Sequence, residues 1–120
     1  LTDLIGMGHK AGDTTMSIYY GGSAAQTPVS LGANFPCNTR NTDMYMLELV
    51  NLSSSNNTVY YRVTRLNTGD VATGTLTGTA GTALPANTTF LNAAHAFRTN
   101  GSTALAVRID IAGIALQAGI

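Results

Sequence analysis

The chain has 120 residues, a formal net charge of zero and only 10% charged side chains, where an ordinary soluble domain carries about a quarter. A neutral surface of this kind gives no field to attract nucleic acid or anionic lipid, and no apolar run reaches the roughly 18 residues of a membrane helix. Cys37 is the single cysteine, which rules out an intrachain disulfide and argues against a thiolate metal cage; it is read as a small buried hydrophobe. Such a length suits one domain with a core that needs no staples. The start lacks an initiator Met and a basic leader, and is read as that of a processed protein or an excised piece.

Helix propensity is low throughout because Gly, Thr, Asn and β-branched residues recur, and the apolar period is two. In chain order, strands are expected from Thr14 to Tyr20, Pro28 to Gly32, Asp43 to Leu52, Val59 to Arg65 and Asp70 to Thr77, then from Thr88 to Leu91, Thr103 to Ile111 and Ile114 to Ala118. The pattern is clearest in the fourth, where Val59, Tyr61 and Val63 face one way and Tyr60, Arg62 and Thr64 the other. Both faces of the Asp43 to Leu52 strand are largely apolar, so it is expected to be central or covered on both sides.

Turn clusters separate these segments: Gly21-Gly22-Ser23, the Ser53 to Asn57 run, Asn67-Thr68-Gly69-Asp70 and Asn100-Gly101-Ser102. The low-complexity stretch Gly74 to Leu84 resembles a linker, but its position between patterned strands predicts a Thr-rich strand followed by a Gly loop. About eight short strands at this spacing predict an all-β fold, an antiparallel sandwich of jelly-roll type, with residues 1–120 forming one domain. The apolar ending, with Ile114, Leu116 and Ile120, predicts an inner strand or one laid across a subunit interface.

Chemistry is sparse. The carboxylates are scattered, His9 and His95 each stand alone, no Gly-x-Ser-x-Gly elbow accompanies the serines, and Gly6-Met7-Gly8 lacks the later glycine and helix of a phosphate cradle. Asp13 is read as a turn residue. No catalytic, cofactor or metal site is expected. The four Asn-x-Ser/Thr triplets, at Asn51, Asn56, Asn87 and Asn100, are what a chain rich in Asn and Thr produces by chance.

The tyrosines carry more information. Tyr19-Tyr20 and Tyr60-Tyr61 are adjacent pairs in expected strands, so one ring of each pair must point away from its neighbour's face. Tyr60 shares a face with Arg62, and an amphipathic ring beside a planar donor suits a sugar or a neighbouring subunit. Tyr19, Tyr60 and Arg62 are the leading candidates for receptor or subunit contact, with Arg65 and His95 behind them; the competing role for the rings is burial between sheets.

Three segments carry a family resemblance: IGMGHKAGDTTMSIYYGGSAAQTPVSLGANFP, then YRVTRLNTGDVATGTLT, then LPANTTFLNAAHAFRTNGSTALAVRIDI. Gly-Asp ahead of the first tyrosine strand, Leu31 to Pro36, Arg65 to Gly69 and Leu84 to Thr88 are the landmarks. Together they resemble a module of structural and fibre proteins of tailed bacteriophages, often found at their C-termini. The resemblance implies a virion component on the particle exterior, a homotrimer that caps a fibre and touches a host glycan or protein, or else decorates capsid or tail beside other virion proteins. A carbohydrate-binding module of a secreted bacterial enzyme is a third expectation, and it predicts a monomer.

Overall fold

The structure is a computed structural model that describes residues 2–37, 39, 42–52 and 57–88, all within one compact unit, Leu1–Thr89. The described residues form six strands and no helix: β1 Leu4–Gly8, β2 Ser17–Gly21, β3 Val29–Ser30, β4 Tyr45–Val50, β5 Thr58–Arg65 and β6 Val71–Thr77. Two antiparallel three-stranded sheets result, ordered β1-β2-β3 and β4-β5-β6.

Residue chemistry explains the second sheet directly. Alternation in β5 sets Tyr61 and Val63 into the core while Tyr60 and Arg62 stay exposed. Antiparallel register then places Leu47 opposite Val63 and Leu49 opposite Tyr61 on one side, and Ala72 opposite Val63 and Leu76 opposite Val59 on the other. A tight turn joins β5 to β6, with Gly69 at φ +81°, a left-handed conformation that costs glycine nothing. Its amide and that of Thr68 both donate to the Arg65 carbonyl, at 2.8 and 3.3 Å.

The first sheet contains one strand that the sequence pattern does not announce. β1 pairs along its whole length with β2, Ile5 facing Tyr20 and Met7 facing Ile18. Its alternate positions, Gly6 and Gly8, are residues that strands ordinarily avoid. They oppose Tyr19 and Ser17, and the Tyr19 ring lies 3.7 Å from where a Gly8 Cβ would be, so an aromatic side chain covers backbone that glycine leaves bare. β3 is short: Val29 pairs with Ile18 and Ser30 with Ser17, and Pro28, which has no N–H, interrupts the ladder before the bridge between Gly21 and Ala25.

Both sheets feed one hydrophobic cluster of Ile18, Leu31, Phe35, Tyr61, Val63, Leu76 and Leu84. Ile18, Val63, Leu76 and Leu84 are almost wholly enclosed, each worth about 1.5–3 kcal/mol of apolar transfer. Loops seal the edges. The Tyr45 hydroxyl donates to the Pro36 carbonyl at 2.6 Å, and the Phe35 and Tyr45 rings meet with centroids 6.2 Å apart. The Gly22 and Ala24 amides donate to the Thr82 carbonyl, both at 3.1 Å, which fixes the segment after β6 as part of the folded unit, a Thr-rich strand and a Gly loop as expected.

Among the described residues β4 has one neighbour, β5, and Met46, Glu48, Leu49 and Val50 are exposed. Its apolar outer positions are therefore not covered by any described element. The expected strands from Thr103 to Ile111 and Ile114 to Ala118 lie outside the described residues, as does Thr88 to Leu91 apart from Thr88, which sits in a turn.

Candidate functional site

The first surface of interest forms where β3 leaves β2. Pro28 interrupts the ladder, antiparallel pairing resumes in a bridge between Gly21 and Ala25, and a half-open groove is lined by Lys10, Tyr19, Tyr20, Ala25, Gln26 and Pro28. The Gln26 amide N–H holds the loop by donating to the Tyr20 carbonyl at 3.0 Å, and its side-chain amide donates to the Ala24 carbonyl at 3.1 Å. A Lys10 to Asp13 turn sets Lys10 in the lining: its amide donates to an Asp13 carboxylate oxygen at 2.8 Å, and the Asp13 amide returns a bond to the Lys10 carbonyl at 3.2 Å. This is the turn role expected for Asp13. Partial burial, reinforced by the Asp13 charge and then by Cys37, pushes the Tyr19 phenol above its ordinary pKa. The ring therefore stays neutral, a donor and an apolar plate at once.

Tyr60 and Arg62 lie elsewhere, on the outer face of β4-β5-β6. Tyr60 is exposed opposite Val50 on β4 and Thr75 on β6. Arg62 faces Glu48 across the strands, with Nε 3.6 Å from Oε2 and both side chains about half exposed. A pair so wet contributes little to stability.

Arg65 belongs to a third place, the end of the β5-β6 hairpin. Its Nε donates to Asp43 Oδ1 at 2.7 Å, Nη1 donates to the Asn34 carbonyl at 3.1 Å, and Nη1 lies 4.0 Å from Asp70 Oδ2. Asn67 Nδ2 reaches the same Asp43 oxygen at 2.7 Å. Hydrogen bonds to the Asp43 carboxylate, from Thr39 foremost and then from Arg65 and Asn67, hold its pKa below the usual carboxylate range. Arg65 thus ties the hairpin, the start of β4 and the Leu31 to Pro36 loop together, and only 18% of its side chain is exposed. His95 lies outside the described residues.

Of the five candidates, Tyr60 and Arg62 share a face, Tyr19 lines a separate groove, and Arg65 is bound into a structural knot. Lys10 and Gln26 complete the groove and were not singled out from sequence; both sit in loops, where no periodicity marks them. Cys37 is buried and its Sγ–H donates to the Asp13 carbonyl at 2.9 Å. Among the described residues no group of three or more His, Cys, Asp and Glu side chains converges as metal ligands would. Compared with known proteins, the chain matches no family model, no curated protein and no solved structure.

Proposed function

We propose that the chain is a structural and binding module of a virion, the terminal domain of a tailed-phage fibre or spike, which assembles with its own copies and presents a receptor site to a host-surface glycan or protein. The finer architecture in this reading is a jelly-roll-like sandwich of about eight strands, two more than the six described. The homotrimer and the exterior position on the particle come from the family resemblance in the sequence.

The observation that supports the binding role best is the groove between Lys10 and Gln26. It offers the Tyr19 ring as a stacking plate, a lysine ammonium and a side-chain amide, all on a β scaffold whose loops are pinned by backbone hydrogen bonds. A pyranose ring needs this combination: an apolar face for its C–H groups and donors for its hydroxyls. The lysine favours a sugar bearing a carboxylate. Single-site affinity for such a shallow surface is weak, and several copies on one rigid head compensate by about 10²-fold or more where geometry lets them bind together.

A second reading, a capsid or tail decoration protein without a receptor, draws on the exposed apolar residues of the β4-β5-β6 outer face, which a clamp between subunits would cover. Two assays separate them. Binding of the fluorescent full chain to a glycan array and to whole bacterial cells, lost on Tyr19→Ala, supports the receptor module. Stoichiometric co-sedimentation with particles, unaffected by Tyr19→Ala and without glycan or cell binding, supports decoration and overturns it.

A further inference from the structure

We infer that Asp13 is the positioning residue of the groove: it holds Lys10 where the ammonium meets a carboxylate on the bound sugar, and so sets the preference for acidic over neutral ligands. This role rests on the reading of the groove as a glycan site and gives that site its selectivity.

Lys10 is exposed in the connection between β1 and β2, where a lysine left to itself keeps most of its rotamer freedom. Asp13 restrains it at both backbone polar groups: one carboxylate oxygen accepts the Lys10 N–H at 2.8 Å, and the Asp13 amide donates to the Lys10 carbonyl at 3.2 Å. Gly12, third in this four-residue turn, has φ +88°, the left-handed conformation that lets the chain double back. Asp13 is itself anchored. The Sγ–H of the buried Cys37 donates to its carbonyl at 2.9 Å, and the Cys37 amide donates to the Thr14 carbonyl at 3.0 Å. Restraint therefore runs from the interior at Cys37 through Asp13 to Lys10, and its last link is a charge-assisted bond, the stronger kind.

The charge of Asp13 has a second effect, of opposite sign. Burial first and then this charge raise the Tyr19 phenol's pKa, so an anion entering beside Tyr19 meets the same repulsion. Position thus favours an acidic ligand and charge opposes one, and substitution separates the two. Asparagine keeps an oxygen to accept the Lys10 N–H and drops the charge, alanine drops both, and glutamate keeps the charge but moves the carboxylate by one methylene. A neutral sugar, stacked on Tyr19 and held through its hydroxyls, has no carboxylate for a well-placed ammonium to meet.

Binding of the full chain to an array of uronic acid oligosaccharides, printed beside the same oligosaccharides with their carboxyls reduced to alcohols, tests this. Wild type, Tyr19→Ala, Asp13→Asn, Asp13→Ala and Asp13→Glu are compared, the Asp13 variants also in a Lys10→Gln background. Asp13→Asn is expected to bind the acidic probes at least about fivefold more tightly than Asp13→Ala, the worth of one hydrogen bond, while the two bind the reduced probes alike. With Lys10→Gln the difference is expected to vanish, which a role in folding alone would not bring about. Equal binding of the acidic probes by Asp13→Asn and Asp13→Ala overturns the role, as does a difference that persists without the lysine. Should Asp13→Ala fail to fold by circular dichroism, Asp13→Glu decides: a several-fold loss confined to the acidic probes supports it, and binding equal to wild type overturns it. Tyr19-dependent binding whose acidic preference no change at position 13 alters sinks the role of Asp13 and leaves the glycan groove intact, whereas wild-type binding that Tyr19→Ala leaves unchanged, or no binding at all, removes both.

Discussion

The Tyr61 ring fills the space in which a side chain on Gly74 would stand: the two are cross-strand partners in β5 and β6, and a Cβ at position 74 would fall 2.6 Å from Tyr61 Cζ. Because Tyr61 belongs to the same buried cluster as Val63 and Leu76, close packing leaves its ring little room to retreat into. Gly74→Ala should therefore lower unfolding stability by about 1–3 kcal/mol, the usual cost of overpacking, although alanine is no worse a strand former. Urea titration checks this; a neutral or stabilising result contradicts the packing described.

Cys37 should resist thiol reagents in the folded protein. It is buried, its S–H is spent on the Asp13 carbonyl, and burial raises its pKa, so little thiolate forms near neutrality. The expected outcome is slow labelling by a disulfide reagent at mild alkaline pH and rapid labelling in urea. Equal rates in the two conditions would refute it.

The Asp43 knot makes stability depend on acid. Its carboxyl has a folded pKa below the unfolded one, so its contribution is complete above the ordinary value of about 3.9 and is lost as pH falls through the folded value. The urea midpoint should drop on acidification from neutral pH into that range. Asp43→Asn should start lower at neutral pH and lose less on acidification, because its amide cannot titrate. A wild-type and variant pair with parallel pH profiles would contradict the assignment.

Groove substitutions should separate binding from folding. Tyr19→Ala removes the stacking plate and should weaken glycan binding by about tenfold or more, the worth of one good aromatic contact. Lys10→Gln should weaken acidic ligands more than neutral ones. Comparison of the two on a glycan array, with thermal melts alongside, checks both; equal loss for acidic and neutral sugars on Lys10→Gln would remove the lysine from the site.

Legibility followed side-chain period. β5 and β6 were readable because Val59, Tyr61 and Val63 alternate with polar residues and Asn-Thr-Gly-Asp supplies a turn. β1 was not, because Gly6 and Gly8 carry no pattern; only the Tyr19 ring on the next strand makes glycine acceptable there. For β4 the sequence showed two apolar faces but not what covers the outer one, since burial inside a fold and burial against another copy leave the same residues. The tyrosine pair made Tyr19 readable as a candidate, and the structure places it in the lining of the groove. Lys10 and Gln26 were not readable, because they sit in the β1–β2 and β2–β3 connections, which backbone hydrogen bonds rather than residue spacing hold in place.

The most direct measurement is the dissociation rate of the full chain from an immobilised bacterial-surface glycan, taken on wild type and Tyr19→Ala. A multivalent receptor module should release slowly as wild type and, as Tyr19→Ala, release at least about tenfold faster with its assembled mass unchanged. Indistinguishable binding by Tyr19→Ala and wild type would contradict the account.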